Sequence, residues 1–216
     1  MKTNSLYVSH NKLSRAVLSI FAFMIILAGC KDNDPQKEDV PELITKSTLT
    51  FTPSDGSAAV VVTATDPDGE GVKNLTVDRP INLVSNKTYK LSIALINALA
   101  ATSTPEYNIT AEVEKEGDEH MFFFAWTDNV FADPTGDGNI DKRNDVVNYT
   151  GASNSVDANG RPLGLNTTWK TASATGAILS GTFRVLLKHQ PDLKSDTSDS
   201  TTGETDLDVT FTIAIQ

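Results

Sequence analysis

From Leu43 onward, apolar and polar residues alternate at every second position. The alternation is clearest from Leu207 to Ile215, where five apolar residues are separated by Asp, Thr and Ala. Successive side chains of a β-strand point to opposite faces of a sheet, so a period of two predicts strands with one buried face. No segment has a convincing amphipathic helical pattern.

Turn residues separate the alternating segments. Pro53–Gly56 lies between two of them and predicts a hairpin. The strands are predicted near residues 48–52, 60–65, 75–77, 81–83, 89–95, 109–113, 120–126, 182–189 and 206–215. Short strands with turns every 8–12 residues or so are typical of a two-sheet sandwich. We therefore predict an all-β fold, an antiparallel immunoglobulin-like β-sandwich, as a single domain over residues 43–216.

Two segments depart from simple alternation. His120–Trp126 (HMFFFAW) is apolar on both faces, which predicts a central strand covered on both sides. Residues 127–179 are rich in Asp, Asn, Gly and Thr and predict a loop longer than about 12–15 residues, a length that is usually functional or disordered. Within this loop Trp169 is the best candidate for an exposed aromatic residue, whereas the Phe residues of 122–124 are expected in the core.

The first thirty residues indicate where in the cell the protein is located. Lys2, Lys12 and Arg15 precede an apolar run of 13 residues, Ala16–Ala28, which is too short to span a membrane but suits a signal peptide. The run leads into Leu-Ala-Gly-Cys, which resembles the lipobox of bacterial lipoproteins and implies cleavage after residue 29 and acylation of Cys30. An ordinary cleaved signal peptide with an incidental Cys is the alternative.

Residues 30–42 are charged, contain Pro and lack apolar periodicity, so they predict a flexible tether behind the lipid. The whole chain has 18 basic and 28 acidic residues. Removal of residues 1–29 takes away three basic residues and no acidic one, so the mature protein is more acidic still. This charge excludes a nucleic-acid partner and predicts attachment to a membrane through the lipid. We expect an outer-membrane lipoprotein on the periplasmic face or the cell surface.

One acidic stretch resembles a calcium-binding loop, since oxygen ligands at alternate positions and a Gly at the turn can wrap a hard cation. Two departures matter: position 12 is Asn144 instead of a bidentate Glu, and flanking helices are not evident. A series of Asp/Gly/Asn turns is the alternative. The candidate calcium ligands are Asp133, Thr135, Asp137, Asn139 through its carbonyl, and Asp141.

His120 and His189 are candidates for a transition-metal site. His120 opens one predicted strand and His189 closes another, and antiparallel neighbours would bring them together on an apolar face. With Glu119 or Asp118 they could bind zinc or copper. Two polar residues that finish core strands and bond to backbone are the alternative.

Catalysis has little support, because the chain lacks a Gly-x-Ser-x-Gly motif and its one Cys is predicted to be acylated. We therefore expect a non-enzymatic, lipid-anchored binding or accessory module of the cell envelope. It would present the 127–179 loop to an envelope protein or a small ligand. The alternatives are a solute-binding lipoprotein serving a transporter, and a metal-handling protein that uses His120 and His189.

The chain also resembles a family of small Gram-negative outer-membrane lipoproteins. Proteins of this family often carry the label "type 1 periplasmic binding fold superfamily protein", the name of an α/β fold. The period of two in this chain predicts strands instead of the alternating helices of that fold. The resemblance extends over about residues 43–215, and it rests on the segments YKLSIALINAL (Tyr89–Leu99), DEHMFFF (Asp118–Phe124), PLGL (Pro162–Leu165) with Trp169, TFRVLLKHQPDLK (Thr182–Lys194) and GETDLDVTF (Gly203–Phe211).

Overall fold

The alternating segments of the chain become strands of two β-sheets. The computed structural model describes residues 42–69, 75–141, 145–149 and 154–216. The predicted signal peptide, Cys30 and the tether up to residue 41 lie outside these described residues, as does Asn144. Within them the strands are β1 (Lys46–Pro53), β2 (Val60–Thr65), β3 (Thr76–Val77), β4 (Ile81–Leu83), β5 (Thr88–Ile96), β6 (His120–Trp126), β7 (Phe131–Asp133), β8 (Asn166–Thr171), β9 (Leu179–His189) and β10 (Glu204–Ile215), and the one α-helix is α1 (Ile109–Lys115).

The strands form a six-stranded and a four-stranded sheet. The six-stranded sheet has the order β3-β2-β1-β5-β8-β7, and the four-stranded sheet has the order β4-β10-β9-β6. Neighbouring strands are antiparallel except β4 and β10, which pair in parallel. The all-β prediction is therefore confirmed, including the hairpin of β1 and β2.

Aromatic rings fill the space between the two sheets. Phe183 of β9 lies 5.1 Å from Trp169 of β8 and 5.9 Å from Phe51 of β1, measured between ring centroids. Trp169 also meets Trp126 of β6 edge-to-face at 5.0 Å. Edge-to-face contacts of this kind add to the free energy gained by burying the rings. The two sheets thus pack face to face as a sandwich.

Trp169 was the predicted exposed aromatic residue, and that prediction is wrong. Its side chain is fully buried, and its indole N–H donates a hydrogen bond to Thr167 Oγ1 at 2.7 Å. The reason is that part of the predicted irregular loop forms β7 and β8, which pair with each other and extend the six-stranded sheet.

β6 is buried on both faces as predicted, but it is an edge strand and not a central one. Asp137, Asn139 and Leu163, from the segment that follows β6, cover its open edge. Phe124 donates its N–H to Asn139 Oδ1 at 2.8 Å and accepts the Asn139 N–H through its carbonyl. Phe122 in turn donates its N–H to the carbonyl of Leu163. These contacts satisfy backbone groups that an open edge would leave free to pair with another chain.

The helix α1 replaces a predicted strand at residues 109–113. Ile109 and Val113 are buried and Ala111 is exposed. A spacing of four fits both a strand and a helix, so a five-residue pattern cannot distinguish them. Asn108 decides in favour of the helix, because its side chain accepts a hydrogen bond from the Ala111 N–H and caps the N-terminus.

None of the helices within the described ranges is long and apolar enough to cross a membrane.

Candidate metal centre

Two histidines face each other at one end of the sandwich. His120 begins β6 and His189 ends β9, and the two residues are direct partners in the antiparallel register. Their rings stack in parallel, with centroids 4.6 Å apart and an interplanar angle of 1°. Both side chains are almost fully buried, at 0% and 2% exposure. Strand alternation and strand order place the pair on the inner face of the four-stranded sheet.

Each ring has a buried carboxylate beside its Nε2 atom. Asp206 Oδ2 lies 3.5 Å from His120 Nε2, and Glu119 Oε2 lies 3.7 Å from His189 Nε2. These separations are longer than a good N–H···O hydrogen bond of about 2.7–3.2 Å. Glu119 was one of the two acids expected near the pair. The other, Asp118, is exposed.

Asp206 reaches His120 because β10 is irregular. The register between β9 and β10 shifts between Thr205 and Leu207, which leaves Asp206 as an extra residue. Alternation from Leu207 predicts Asp206 on the solvent face, but its side chain is buried. A β-bulge turns a side chain in this way, and bulges are frequent beside functional sites.

A second set of carboxylates lies next to the histidines. Glu112 is on α1, Glu116 caps its C-terminus, and Glu42 lies just before β1. Within the described part of the chain, two groups place three ligand atoms within 4.8 Å of one another: Glu116 with His120 and His189, and Glu42 with Glu112 and Glu116. Glu116 belongs to both.

A buried lysine holds the turn that carries these ligands. Lys194 Nζ donates hydrogen bonds to the carbonyls of Gly117 and His120, at 2.6 and 2.8 Å, and pairs with Asp157 at 3.1 Å. Burial lowers the pKa of Lys194, against the opposing effect of Asp157. The backbone between Glu116 and His120 is thereby fixed, which keeps the two side chains in place.

Three buried polar atoms of this cluster make no hydrogen bond to the described residues. His120 Nε2, His189 Nε2 and Asp206 Oδ2 find no hydrogen-bond partner among the described residues. Their contacts at 3.5 and 3.7 Å are too long for good hydrogen bonds, so the buried atoms are poorly satisfied and could accept a bound ion or water between them.

The electrostatics of the cluster favour bound cations or protons. Desolvation, followed by repulsion from Glu112, raises the pKa of Glu42 to about 7. The pKa of His120 is also raised: burial lowers it, but Asp206, the Glu116 carbonyl and Glu42 outweigh that effect. Several negative groups therefore compete for positive charge at this end of the sandwich.

Several polar groups of the predicted calcium loop form hydrogen bonds with neighbouring residues of the same segment or with β6. The carboxylate of Asp145 accepts the N–H groups of Asp137 and Gly138 at 2.7 and 3.1 Å, and these bonds lower the pKa of Asp145. Asp133 accepts a hydrogen bond from Asn148, and the Asn139 side chain is bound to β6. None of these residues, nor Thr135 or Asp141, belongs to either group of clustered ligand atoms found among the described residues. Calcium binding there stays a prediction.

An open groove of about 330 Å³ lies in the same segment. It is lined mainly by Val146, Val147, Val156 and Tyr149. The polar groups of Asn139 and Tyr149 at its wall bond to each other and to β6. The groove thus has the volume of a small-ligand site but lacks converging polar groups that are not already engaged.

Sequence reasoning found the two histidines and Glu119 but missed Glu42, Glu112, Glu116 and Asp206. The spacing of Glu112 and Glu116 would have placed them on one helix face, had α1 been recognised. The position of Asp206 depends on the bulge, for which the strand pattern gives no signal.

Comparison with protein-family models, with curated proteins and with solved structures finds no match to this chain. The site is therefore interpreted from its own geometry.

Proposed function

We propose that this protein is a non-enzymatic, lipid-anchored binding module of the cell envelope whose ligand is a divalent transition-metal ion. His120 and His189 supply imidazole nitrogens, and Glu116 supplies a carboxylate oxygen. This ligand set suits zinc, cobalt, nickel or copper(II).

The observation that carries the proposal is the pair of buried Nε2 atoms without hydrogen-bond partners among the described residues. Each Nε2 faces a carboxylate oxygen, of Asp206 at 3.5 Å or of Glu119 at 3.7 Å, beyond the distance of a good hydrogen bond. His120 does contact the Glu116 carbonyl through Nδ1, at 3.1 Å. This contact orients the ring, as outer hydrogen bonds do for metal-ligating histidines.

The proposed location of the protein in the cell envelope is inferred from the sequence. Residues 1–29 resemble a lipoprotein signal peptide, and Cys30 is the residue that would carry the acyl chains. The acidic mature chain would then be held to the outer membrane by lipid, with the metal centre on the folded domain.

The test is binding of Co²⁺ and Zn²⁺ to the full chain in detergent, measured by calorimetry and by the visible absorption of bound Co²⁺. We expect saturable binding and a higher melting temperature with metal, since a ligand of the native state stabilises it by mass action. His189→Gln should weaken binding at least tenfold and abolish the metal-dependent gain in melting temperature.

Asp118→Asn is the matched control, because it removes a carboxylate two residues from His120 that is exposed and outside the cluster. It should bind metal like the unmodified chain. Absence of binding by the unmodified chain, or equal binding by His189→Gln, would overturn the proposal.

A solute-binding lipoprotein is the second candidate, and the groove beside Tyr149 favours it by volume. We place it second because the groove is open and its polar groups are engaged. Presentation of the 127–179 segment to a protein partner also remains a proposal, with Val146 and Val156 as exposed apolar residues on its surface.

A further inference from the structure

A lysine and an aspartate are buried together beside the turn that leads into β6. Lys194 follows β9, Asp157 lies between β7 and β8, and their side chains are 1% and 0% exposed. Lys194 Nζ lies 3.1 Å from Asp157 Oδ2. We propose that these two side chains join in an intramolecular amide bond, an isopeptide cross-link between Lys194 Nζ and Asp157 Cγ.

The two oxygens of the Asp157 carboxylate have different surroundings. Oδ1 accepts the backbone N–H groups of Asn159 and Arg161, at 2.8 and 2.9 Å. Oδ2 is buried and makes no hydrogen bond to the described residues, so its contact with Lys194 Nζ lacks hydrogen-bond geometry. Two N–H donors on one oxygen stabilise the negative charge that develops there when a nucleophile adds to the carboxyl carbon. Oδ1 is therefore placed to remain as the amide oxygen, and Oδ2 is placed to leave.

Backbone contacts hold the amine next to this carboxyl group. Lys194 Nζ donates to the carbonyls of Gly117 and His120, at 2.6 and 2.8 Å. Arg161 Nη1 donates to the Lys194 carbonyl at 3.0 Å, which docks the turn of Asp157 onto the residue that carries the amine. Groups held in contact in this way react far faster than the same groups free in solution. The fold thus brings the two reactants together before any bond forms.

Burial favours the reactive, uncharged forms of the pair. An ammonium and a carboxylate lose their hydration when they are buried, and desolvation lowers the pKa of Lys194 against the opposing effect of Asp157. A desolvated lysine amine is an effective nucleophile. Exclusion of water from the same place also slows hydrolysis of the amide once it has formed.

The reaction needs no group beyond the two side chains. A proton passes from the Lys194 ammonium to Asp157 Oδ2, which gives a neutral amine and a carboxylic acid. The nitrogen lone pair then forms the Nζ–Cγ bond, the Cγ–Oδ2 bond breaks, and Oδ2 takes a second proton from the nitrogen. An ammonium and a carboxylate become one amide and one water molecule, without change of oxidation state.

The cross-link would fasten the segment between β7 and β8 to the turn after β9. A covalent connection between residues distant in sequence stabilises a protein mainly by restricting its unfolded chain. The amide nitrogen keeps one N–H, so it retains a bond to one of the two carbonyls that Lys194 contacts. The bond would therefore also fix the turn that precedes His120.

The test is peptide mapping by mass spectrometry of the purified full chain, digested after denaturation. We expect a branched peptide that joins the segments of Asp157 and Lys194, with a mass lower by one water molecule than the sum of the two. Fragmentation should place the bond at these two residues. Trypsin should not cleave after Lys194, because the amide removes its charge.

Lys194→Arg should lose the branched peptide, because a guanidinium is a poor nucleophile. Lys188→Arg is the matched control: Lys188 is also buried, but its Nζ donates to Thr205 Oγ1 at 2.9 Å, and this variant should keep the cross-link. Only linear peptides from the unmodified chain would overturn the proposal, and this measurement depends on no variant. A branched peptide that persists in Lys194→Arg, or that joins other residues, would also overturn it.

Discussion

Two imidazole rings stacked at 4.6 Å cannot both carry a proton without strong mutual repulsion. Asp206 and Glu119 place a carboxylate beside each ring. The metal ion that we propose would bind neutral rings and supply positive charge next to the carboxylates. The residue arrangement is thus better suited to a cation than to two independent protons.

Glu42 gives a pH dependence that can be tested without metal. Its pKa in the folded protein is about 7, above the ordinary value of 4.5. An acid whose folded pKa is raised binds more protons in the native state, so its contribution is full below pH 4.5 and is lost as pH rises through 7. The raised pKa of His120 acts in the same direction. We expect the metal-free protein to lose stability as the pH rises from about 4.5 to about 7.

The variant Glu42→Gln should flatten this loss by about 1 kcal/mol, a value reduced for solvent screening because the side chain is only half-buried. The measurement is thermal melting in chelator across that pH range. Glu114→Gln is the control, because Glu114 lies on α1 near Glu112 of the cluster but is itself exposed. A pH profile of Glu42→Gln that matches the unmodified chain would refute the assignment.

At the scale of elements, one buried side chain contributes strongly to the covering of the β6 edge. Asn139 accepts the Phe124 N–H through Oδ1 and donates to the Tyr149 hydroxyl through Nδ2, both at 2.8 Å. Gly138 precedes it at a φ of +123°, and a Cβ there would collide with the backbone of Phe124 and Ala125. The segment can therefore lie directly against the strand.

Replacement of Asn139 by Ala should destabilise the protein by about 2–3 kcal/mol, because the buried Phe124 N–H loses its acceptor. Chemical denaturation of the full chain measures the change. Asn159→Ala, an exposed Asn in the same long segment, should stay within about 0.5 kcal/mol of the unmodified chain. Equal stability of the two variants would show that the edge of β6 does not depend on Asn139.

The strand pattern predicts most of the sheets because burial of one face imposes a period of two on each strand. The strand pattern fails where a local feature outside it, such as a helix cap or a β-bulge, determines the structure. At residues 109–113 the Asn108 cap selects a helix, and at Asp206 a bulge turns the side chain inward. The apolar pattern of β6 predicts a central strand. The strand is nevertheless at the edge of its sheet, because Asn139 and Leu163, and not a neighbouring strand, cover its open side. The histidine pair was predictable from strand order, whereas the surrounding carboxylates depend on these irregular features.

For the whole molecule, Glu42 connects the predicted tether to the candidate metal centre. Glu42, the last residue of the predicted tether, is bonded to Asp206 through its backbone and contributes a carboxylate to the cluster. The predicted tether therefore reaches the folded domain beside the proposed site through Glu42.

The anchor leads to a prediction for the intact cell. Cys30→Ser should abolish incorporation of labelled palmitate and shift the protein from the detergent phase to the aqueous phase in phase partitioning. Each buried CH₂ of an acyl chain adds about 0.8 kcal/mol to membrane binding, so loss of the chains removes the attachment that an acidic domain cannot replace. Ser9→Ala, a change in the same leader, should leave labelling intact. Palmitate retained by Cys30→Ser would mean that the protein reaches the membrane by another route.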